Sequence, residues 1–294
     1  MFTEGRQLKS VLGLHNYKMF AMNKSIQQLA VELGVGKKIS RQKVSLTNKE
    51  SGALLKSNNF SKLLLRLHNY GSLTKFQQKD LERYIYQVGF GLQPMNIVSI
   101  FCPSYKRGTG EVGYNSEIGP RTRANIKILS YIKEICQKYN IPCTITIYFS
   151  DLLLENYSKL ITVDYKSQLN NNYNDLVLKV SSIATVRKLS ELGDLASSIS
   201  TNAGNCLPII DIDEKDQQLL IARNRITYQT IFGWSEREVR KRTTELINAY
   251  PYLAKAINYY HPNAMYYWSE TAIERVRLMP NLAIPLFMPK KVNL

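Results

Sequence analysis

Histidine is nearly absent from this chain of 294 residues, which holds three, at positions 15, 68 and 261. The four cysteines, Cys102, Cys136, Cys143 and Cys206, never fall at Cys-x2-Cys spacing. Structural and catalytic zinc draws on closely spaced Cys and His, so no metal is expected and the thiols read as reduced. No run approaches the ~18 uninterrupted apolar residues of a membrane span. Met1-Phe-Thr-Glu-Gly-Arg6 also lacks the basic and apolar regions of a secretory leader, which leads us to expect a cytoplasmic protein with no membrane partner. Absent too are a Ser/His/Asp set, a Gly-Lys-Thr phosphate loop and an Asp-rich metal box, so no single motif specifies a chemistry. Acidic residues are scarce: 23 Asp plus Glu face 39 Lys plus Arg, a net charge of +16. Residues 1–95 alone carry 15 basic and 5 acidic side chains. Such an excess favours a polyanionic partner or phosphorylated substrates. Compositional bias toward Asn, Lys, Ile and Tyr is the other source of the same excess.

What the chain does contain is clearest between Asn96 and Asp151. A β-branched run, Asn96-Ile-Val-Ser-Ile-Phe101, leads into a Gly-rich loop from Cys102 to Gly119. An amphipathic helix follows over about Arg121 to Tyr139, then a second run, Cys143-Thr-Ile-Thr-Ile-Tyr-Phe149, ends on Ser150-Asp151. Two apolar strands joined by one helix predict a parallel, buried pair with a right-handed crossover. Ligand crevices of such sheets lie at the carboxyl ends of the strands, here between Pro103 and Asp151.

Around this unit the pattern predicts a helix from Lys24 to Leu33 and a basic run, residues 37–43, that reads as an arm or linker. Helical spacing recurs over Phe60–Tyr70 and Phe76–Val88, with Phe76, Leu81, Tyr84, Ile85 and Val88 on the apolar side. After Asp151 the reading places a helix over Leu152–Ile161 and a turn at Asn170-Asn-Asn172. At least one strand is expected within Asp175–Val186, a loop over Ser198–Asn205, and a helix from an Asp213 cap to Gln229. Ser235-Glu-Arg-Glu238 is a capping box. Val239, Thr243, Leu246 and Tyr250 then share one helix face and Arg237, Arg240, Lys241 and Thr244 another. A helix over about Asn263–Glu274 and an edge strand around Pro285 close the chain. The expected fold is α/β, a Rossmann-like three-layer sandwich with a mainly parallel sheet. The expected organisation is a basic helical N-terminal extension over residues 1–90 and a Rossmann-like α/β catalytic domain over residues 91–294.

Gly108-Thr-Gly110-Glu-Val-Gly113 matches the dinucleotide fingerprint, but that turn must follow its strand directly. Six residues intervene after Phe101, and Asp151 lies 43 residues beyond Gly108, about twice the usual spacing; no cofactor is expected. In the same loop Ser104, Lys106 and Arg107 lie where a nucleophile or phosphate-holding cations would stand, with Asp151 across the crevice. An ordinary basic loop and a helix cap are the plain alternatives. Tyr266 and Glu270 are four apart and would share a helix face, a pairing suited to proton transfer at an amine or to core filling. Lys37, Lys38, Arg41, Arg237, Arg240 and Lys241 are the candidate nucleic-acid contacts, or a solvated face.

From about Phe90 to Pro289 the chain resembles the isonitrile synthases of pyoverdine and dityrosine biosynthesis. The likeness rests on Phe101-Cys-Pro-Ser-Tyr-Lys106, Glu117-Ile-Gly119, Ser150-Asp151, Arg277-Leu-Met-Pro280 and Ala283-Ile-Pro-Leu286. It implies an enzyme of secondary metabolism that condenses an aromatic amino acid with ribulose 5-phosphate. Lys106 and Arg107 would hold the phosphate, with Glu117 and Arg277 among the substrate contacts. The chain is also similar to tRNA-dependent cyclodipeptide synthases, through Ser104 after the first strand and the Tyr266-x3-Glu270 pair. That resemblance implies an aminoacyl-tRNA partner. A non-catalytic nucleic-acid-binding module is the third reading.

Overall fold

The computed structural model describes residues 37–38, 44–45, 48–69, 73–104, 114–151, 163–192, 212–269, 273–279 and 282–290. β1 (Lys37–Lys38) and β2 (Val44–Ser45) pair antiparallel, so the two ends of the basic run meet in a short ribbon. α1 (Asn48–Leu67) and α2 (Lys75–Gly89) pack together, and Phe60, Leu64, Leu81, Ile85 and Val88 enter the main core. α2 opens on a capping box: Gln77 N–H donates to Thr74 Oγ1 at 3.2 Å, and Thr74 N–H donates to Gln77 Oε1 at 3.0 Å. Phe76, read as part of the apolar side, is 73% exposed in that first turn.

The remaining elements are β3 (Met95–Phe101), α3 (Pro120–Lys138), β4 (Cys143–Phe149), α4 (Val163–Val180), β5 (Thr185–Lys188), α5 (Glu214–Phe232), α6 (Glu236–Tyr260), β6 (Met265–Tyr267) and β7 (Leu286–Phe287). The sheet runs β5-β4-β3-β6-β7 and every pairing in it is parallel. β3 and β4 keep register over seven pairs, from Met95 opposite Cys143 to Phe101 opposite Phe149, as the two β-branched runs predict. This is a Rossmann-like α/β fold.

Alternation along the strands assigns the layers. Phe149 meets Tyr173 of α4 at 5.5 Å between ring centroids, whereas Tyr148 bonds His261 at the end of α6. Consecutive residues point to opposite faces, so α4 and the end of α6 cover opposite sides of the sheet. Register then puts Ser99, Tyr267 and Phe287 on the Phe149 side. Asn125 of α3 bonds Tyr267, and His68 beyond α1 lies 5.2 Å from Phe287, so both elements belong to that layer. α5 packs on α6. On α6, Val239, Thr243, Leu246 and Tyr250 are all buried, as their spacing requires.

Two local expectations are overturned. The segment read as a helix over 263–274 contributes β6 and a 3-10 turn, Ile273–Leu278. Three buried residues there satisfy the free edge of β3, and a ladder beside a central strand outweighs helical spacing. Asn170-Asn-Asn172 is no turn: it lies inside α4, where Asn172 is 1% exposed and its amide donates to the carbonyls of Asn115 (3.1 Å) and Glu117 (2.7 Å). Between Asp175 and Val186 the chain finishes α4 and then starts the expected strand, β5, at Thr185. Lys24–Leu33, Leu152–Ile161 and Ser198–Asn205 lie outside the described residues.

The last strand is strapped to α1. Asn69 N–H donates to Met288 C=O at 2.7 Å, Lys290 N–H to Leu67 C=O at 2.7 Å, and Met288 N–H to His68 Nδ1 at 3.0 Å. Burial, with Lys290 nearby, holds the His68 pKa down at about 4, so the ring is neutral and can accept that bond. An unfolded His68 titrates near 6.5, so as pH falls below that value only the unfolded chain gains a proton. Stability is therefore complete above pH 6.5 and is lost down to about pH 4, by on the order of 3 kcal/mol. Urea unfolding across this range should show the loss, and His68→Asn should shrink it; an equal loss in the variant would contradict this role.

Candidate active site

A parallel sheet of this kind opens a crevice where the strand order reverses, because the connections on its two sides leave in opposite directions. Here the reversal lies between β3 and β6. On the other edge of β3, Ser150 N–H donates to Phe101 C=O at 3.0 Å and carries the β3–β4 ladder past both strand ends.

Ser104 stands three residues beyond β3 and ties it to α3. Its Oγ accepts the amide N–H of Gly119, the residue that caps α3, and its carbonyl accepts Asn115 N–H at 2.9 Å. A Cβ on Gly119 would lie 2.8 Å from Ser104 Oγ and 3.3 Å from Ser104 Cβ, so a larger residue there would displace the hydroxyl. Pro120 occupies the first helical turn, which has no side-chain cap and no acidic residue. The first turn thus carries no anion of its own beside the Ser104 hydroxyl, and the Asp175 carboxylate bonds Ile118 N–H just before the helix.

The end of β6 is moored to the same helix. Arg121 donates to Ser269 C=O through Nε (3.1 Å) and Nη2 (2.8 Å), and Asn125 Nδ2 donates to it at 3.0 Å. Tyr267 OH donates to Asn125 Oδ1 at 2.9 Å, and burial pushes that phenol well above the usual tyrosine range. Ser269 Oγ donates to Ile100 C=O at 2.5 Å and Ser99 Oγ to Tyr267 C=O at 2.7 Å, which stitch β6 onto β3. Trp268 is 2% exposed, and its Nε1–H has no hydrogen-bond partner among the described residues. A buried donor in that state is costly unless water or a ligand accepts it.

On the other side, α4 fixes the end of the glycine loop. Gln168 Oε1 accepts Tyr114 N–H at 3.0 Å and Asp175 Oδ2 accepts Ile118 N–H at 2.8 Å, flanking the Asn172 bonds. Asp151 is buried and turned to the β5 side, where it accepts Ser190 N–H (3.0 Å) and Ser190 Oγ–H (2.5 Å). Glu117 is exposed. Tyr266 is buried in β6 on the face opposite Tyr267, so the shared helix face expected for Tyr266 and Glu270 does not form. The Arg277 guanidinium bonds Asp216 at the start of α5. Arg237 and Lys241 are exposed on α6, but Arg240 pairs with Glu236 at 2.9 Å and Arg225 forks onto the same carboxylate, which offsets part of that stripe. Lys37 and Lys38 form β1; Arg41, Lys106, Arg107 and Glu270 lie outside the described residues.

No protein-family model matches the sequence, and no curated protein does. Similar solved structures include the PvcA protein from Pseudomonas aeruginosa, at 13% identity over 79% of this chain and 92% of that chain, with a TM-score of 0.49. Another is a tryptophanyl-tRNA synthetase from the hyperthermophilic archaeon Aeropyrum pernix: 11% identity, 82% of this chain and 63% of that chain, TM-score 0.42. A third is a cyclodipeptide synthase from Candidatus Glomeribacter gigasporarum bound to Phe-tRNAPhe: 12% identity, 69% and 92%, TM-score 0.34. Both families that the sequence motifs resemble thus have a counterpart among the similar structures.

Arg121, Asn125, Tyr267 and Ser269 were not singled out in the sequence. The available signal was Arg121-Thr-Arg-Ala-Asn125, two polar side chains one turn apart at the start of the helix that follows the glycine loop. Among the described residues no three His, Cys, Asp or Glu side chains gather to hold a metal ion, and no helix is long and apolar enough to cross a membrane. The close approach of Ser104 to Gly119 gives a direct test. Gly119→Ala should cost about 1–3 kcal/mol from overpacking, and much less in a Ser104→Gly background where the clash is gone. Additive costs in a double-mutant cycle would show that the two residues do not meet.

Proposed function

We propose that this protein is a biosynthetic transferase that acts on an amino acid at the β3–β6 crevice, condensing an aromatic amino acid with ribulose 5-phosphate on the way to an isonitrile. The observation that carries the reading is the start of α3, an uncapped helix end with no acidic residue in its first turn, set against the Ser104 hydroxyl where the strand order reverses. A helix end of this kind favours an anionic group, and Lys106 and Arg107, two and three residues after Ser104, would hold the phosphate. The amine nitrogen would add to the ketose carbonyl and water would leave. Trp268 Nε1–H, a buried donor with no partner among the described residues, would serve the amino acid's carboxylate or the sugar's hydroxyls in this reading. Asp151 and Arg277, already engaged by Ser190 and Asp216, brace the surrounding walls in this reading.

A second reading, tRNA-dependent synthesis of cyclodipeptides, is favoured by one detail of the same contact. Ser104 Oγ accepts an amide N–H, which stabilises negative charge developing on that oxygen, as an acyl-accepting serine requires. Arg237, Arg240 and Lys241 would then face the tRNA.

The protein should turn over tyrosine with ribulose 5-phosphate. Lys106→Ala should weaken sugar-phosphate binding by about 1.5–3 kcal/mol, the range for hydrogen bonds to charged groups. Unchanged binding would remove Lys106 from the site. RNA that copurifies, leaves steeply with salt and is lost on charge reversal of Arg237, Arg240 and Lys241, without any turnover of the sugar phosphate, would favour the second reading.

A further inference from the structure

The last turn of α6 carries two aromatic side chains that the fold leaves uncovered. Tyr259 is 77% and Tyr260 47% exposed, and their rings meet edge to face at 5.0 Å between centroids. A single exposed ring needs no explanation, but two adjoining rings beside cations make a defined surface. Lys255, one turn before Tyr259 and on the same helix face, is exposed. Arg187 on β5 is also exposed, and its charge reaches both Tyr148 and His261. Among the described residues neither Lys255 nor Arg187 has an ion-pair partner. The acid nearby, Glu191, is turned to the Lys188 amide at 3.2 Å.

The turn beneath these rings is held firmly. Tyr148 OH and His261 Nε2 lie 2.9 Å apart, their rings cross edge to face at 5.6 Å, and His261 N–H donates to Ile257 C=O at 2.8 Å. Burial and Arg187 hold the His261 pKa below its ordinary value, which favours the neutral imidazole in this hydrogen bond. Fixing the residue next to Tyr260 removes much of the ordering cost that a ligand would otherwise bear.

We propose that Tyr259 and Tyr260, flanked by Lys255 and Arg187, form a stacking platform for an unpaired stretch of RNA. Aromatic faces accept any base and the cations accept phosphates, the pairing that sequence-tolerant single-strand binding uses. An acidic peptide would need the cations without the rings, and a lipid surface would call for aliphatic side chains at this spot. The chain's +16 charge supplies the long-range attraction. The platform lies on the β4–β5 side of the sheet and does not depend on which chemistry occurs at the β3–β6 crevice.

The test is fluorescence anisotropy of the full chain with a labelled oligouridylate and with an RNA duplex, at about 50 mM and about 200 mM salt. The single strand should bind more tightly than the duplex. Tyr259→Ala with Tyr260→Ala should weaken it at least ~10-fold, while Tyr259→Phe, which keeps the ring, should leave it unchanged. Lys255→Glu should flatten the salt dependence. Since these side chains are exposed, circular dichroism and melting should not move. No binding at the lower salt, equal preference for duplex, or undiminished affinity in the double Ala variant would each overturn the proposal.

Discussion

Strand β3 is hydrogen-bonded along both edges and covered on both faces, so whatever ends near its carboxyl terminus is placed by it. β4 takes one edge over seven residues and β6 takes the other over three. The reversal of strand order at the short side follows, and with it the place where a sheet of this kind takes its ligand. Ser99, Ile100 and Ser104 then reach out from the strand and its exit to Tyr267, Ser269 and Gly119. α3 is fixed to the end of β6 through Arg121 and Asn125, so the helix start and the strand end cannot move independently.

The polar groups around this junction divide by what they serve. Gln168, Asn172 and Asp175 project from one face of α4 and spend their bonds on the backbone of residues 114–118. Asp151 serves the β4–β5 end in the same way. What remains is the Ser104 hydroxyl, which accepts Gly119 N–H at the start of α3, and the buried Trp268 indole N–H, which has no partner among the described residues. That contrast, rather than the presence of any one residue type, is why the crevice supports a catalytic reading.

The parts of the fold legible from sequence were those whose own periodicity decides them. β3 and β4 are long β-branched runs, α3 and α6 carry unbroken apolar stripes, and Ser235 caps α6 through local chemistry alone. β6 was not legible because three residues cannot display a period, and Tyr266 with Glu270 mimicked a helix face. Asn172 read as a turn because asparagine is a weak helix former, a preference overridden by two carbonyls that need donors. Ser104 was placed correctly at the end of the first strand. Strand order was not legible, because long-range packing sets it: Asp151 lies bonded to Ser190 after β5, and β6 takes the other edge of β3.

The central claim is that the β3–β6 crevice, opened by the start of α3, is where substrate binds. A crystal structure with tyrosine and ribulose 5-phosphate tests it most directly. The account predicts density between the ends of β3 and β6, with an anionic group within hydrogen-bond reach of the first turn of α3 and a polar atom on Ser104. Ligand bound instead at the β4–β5 ends or along α5, with the Ser104 contact to Gly119 unvisited, would contradict it.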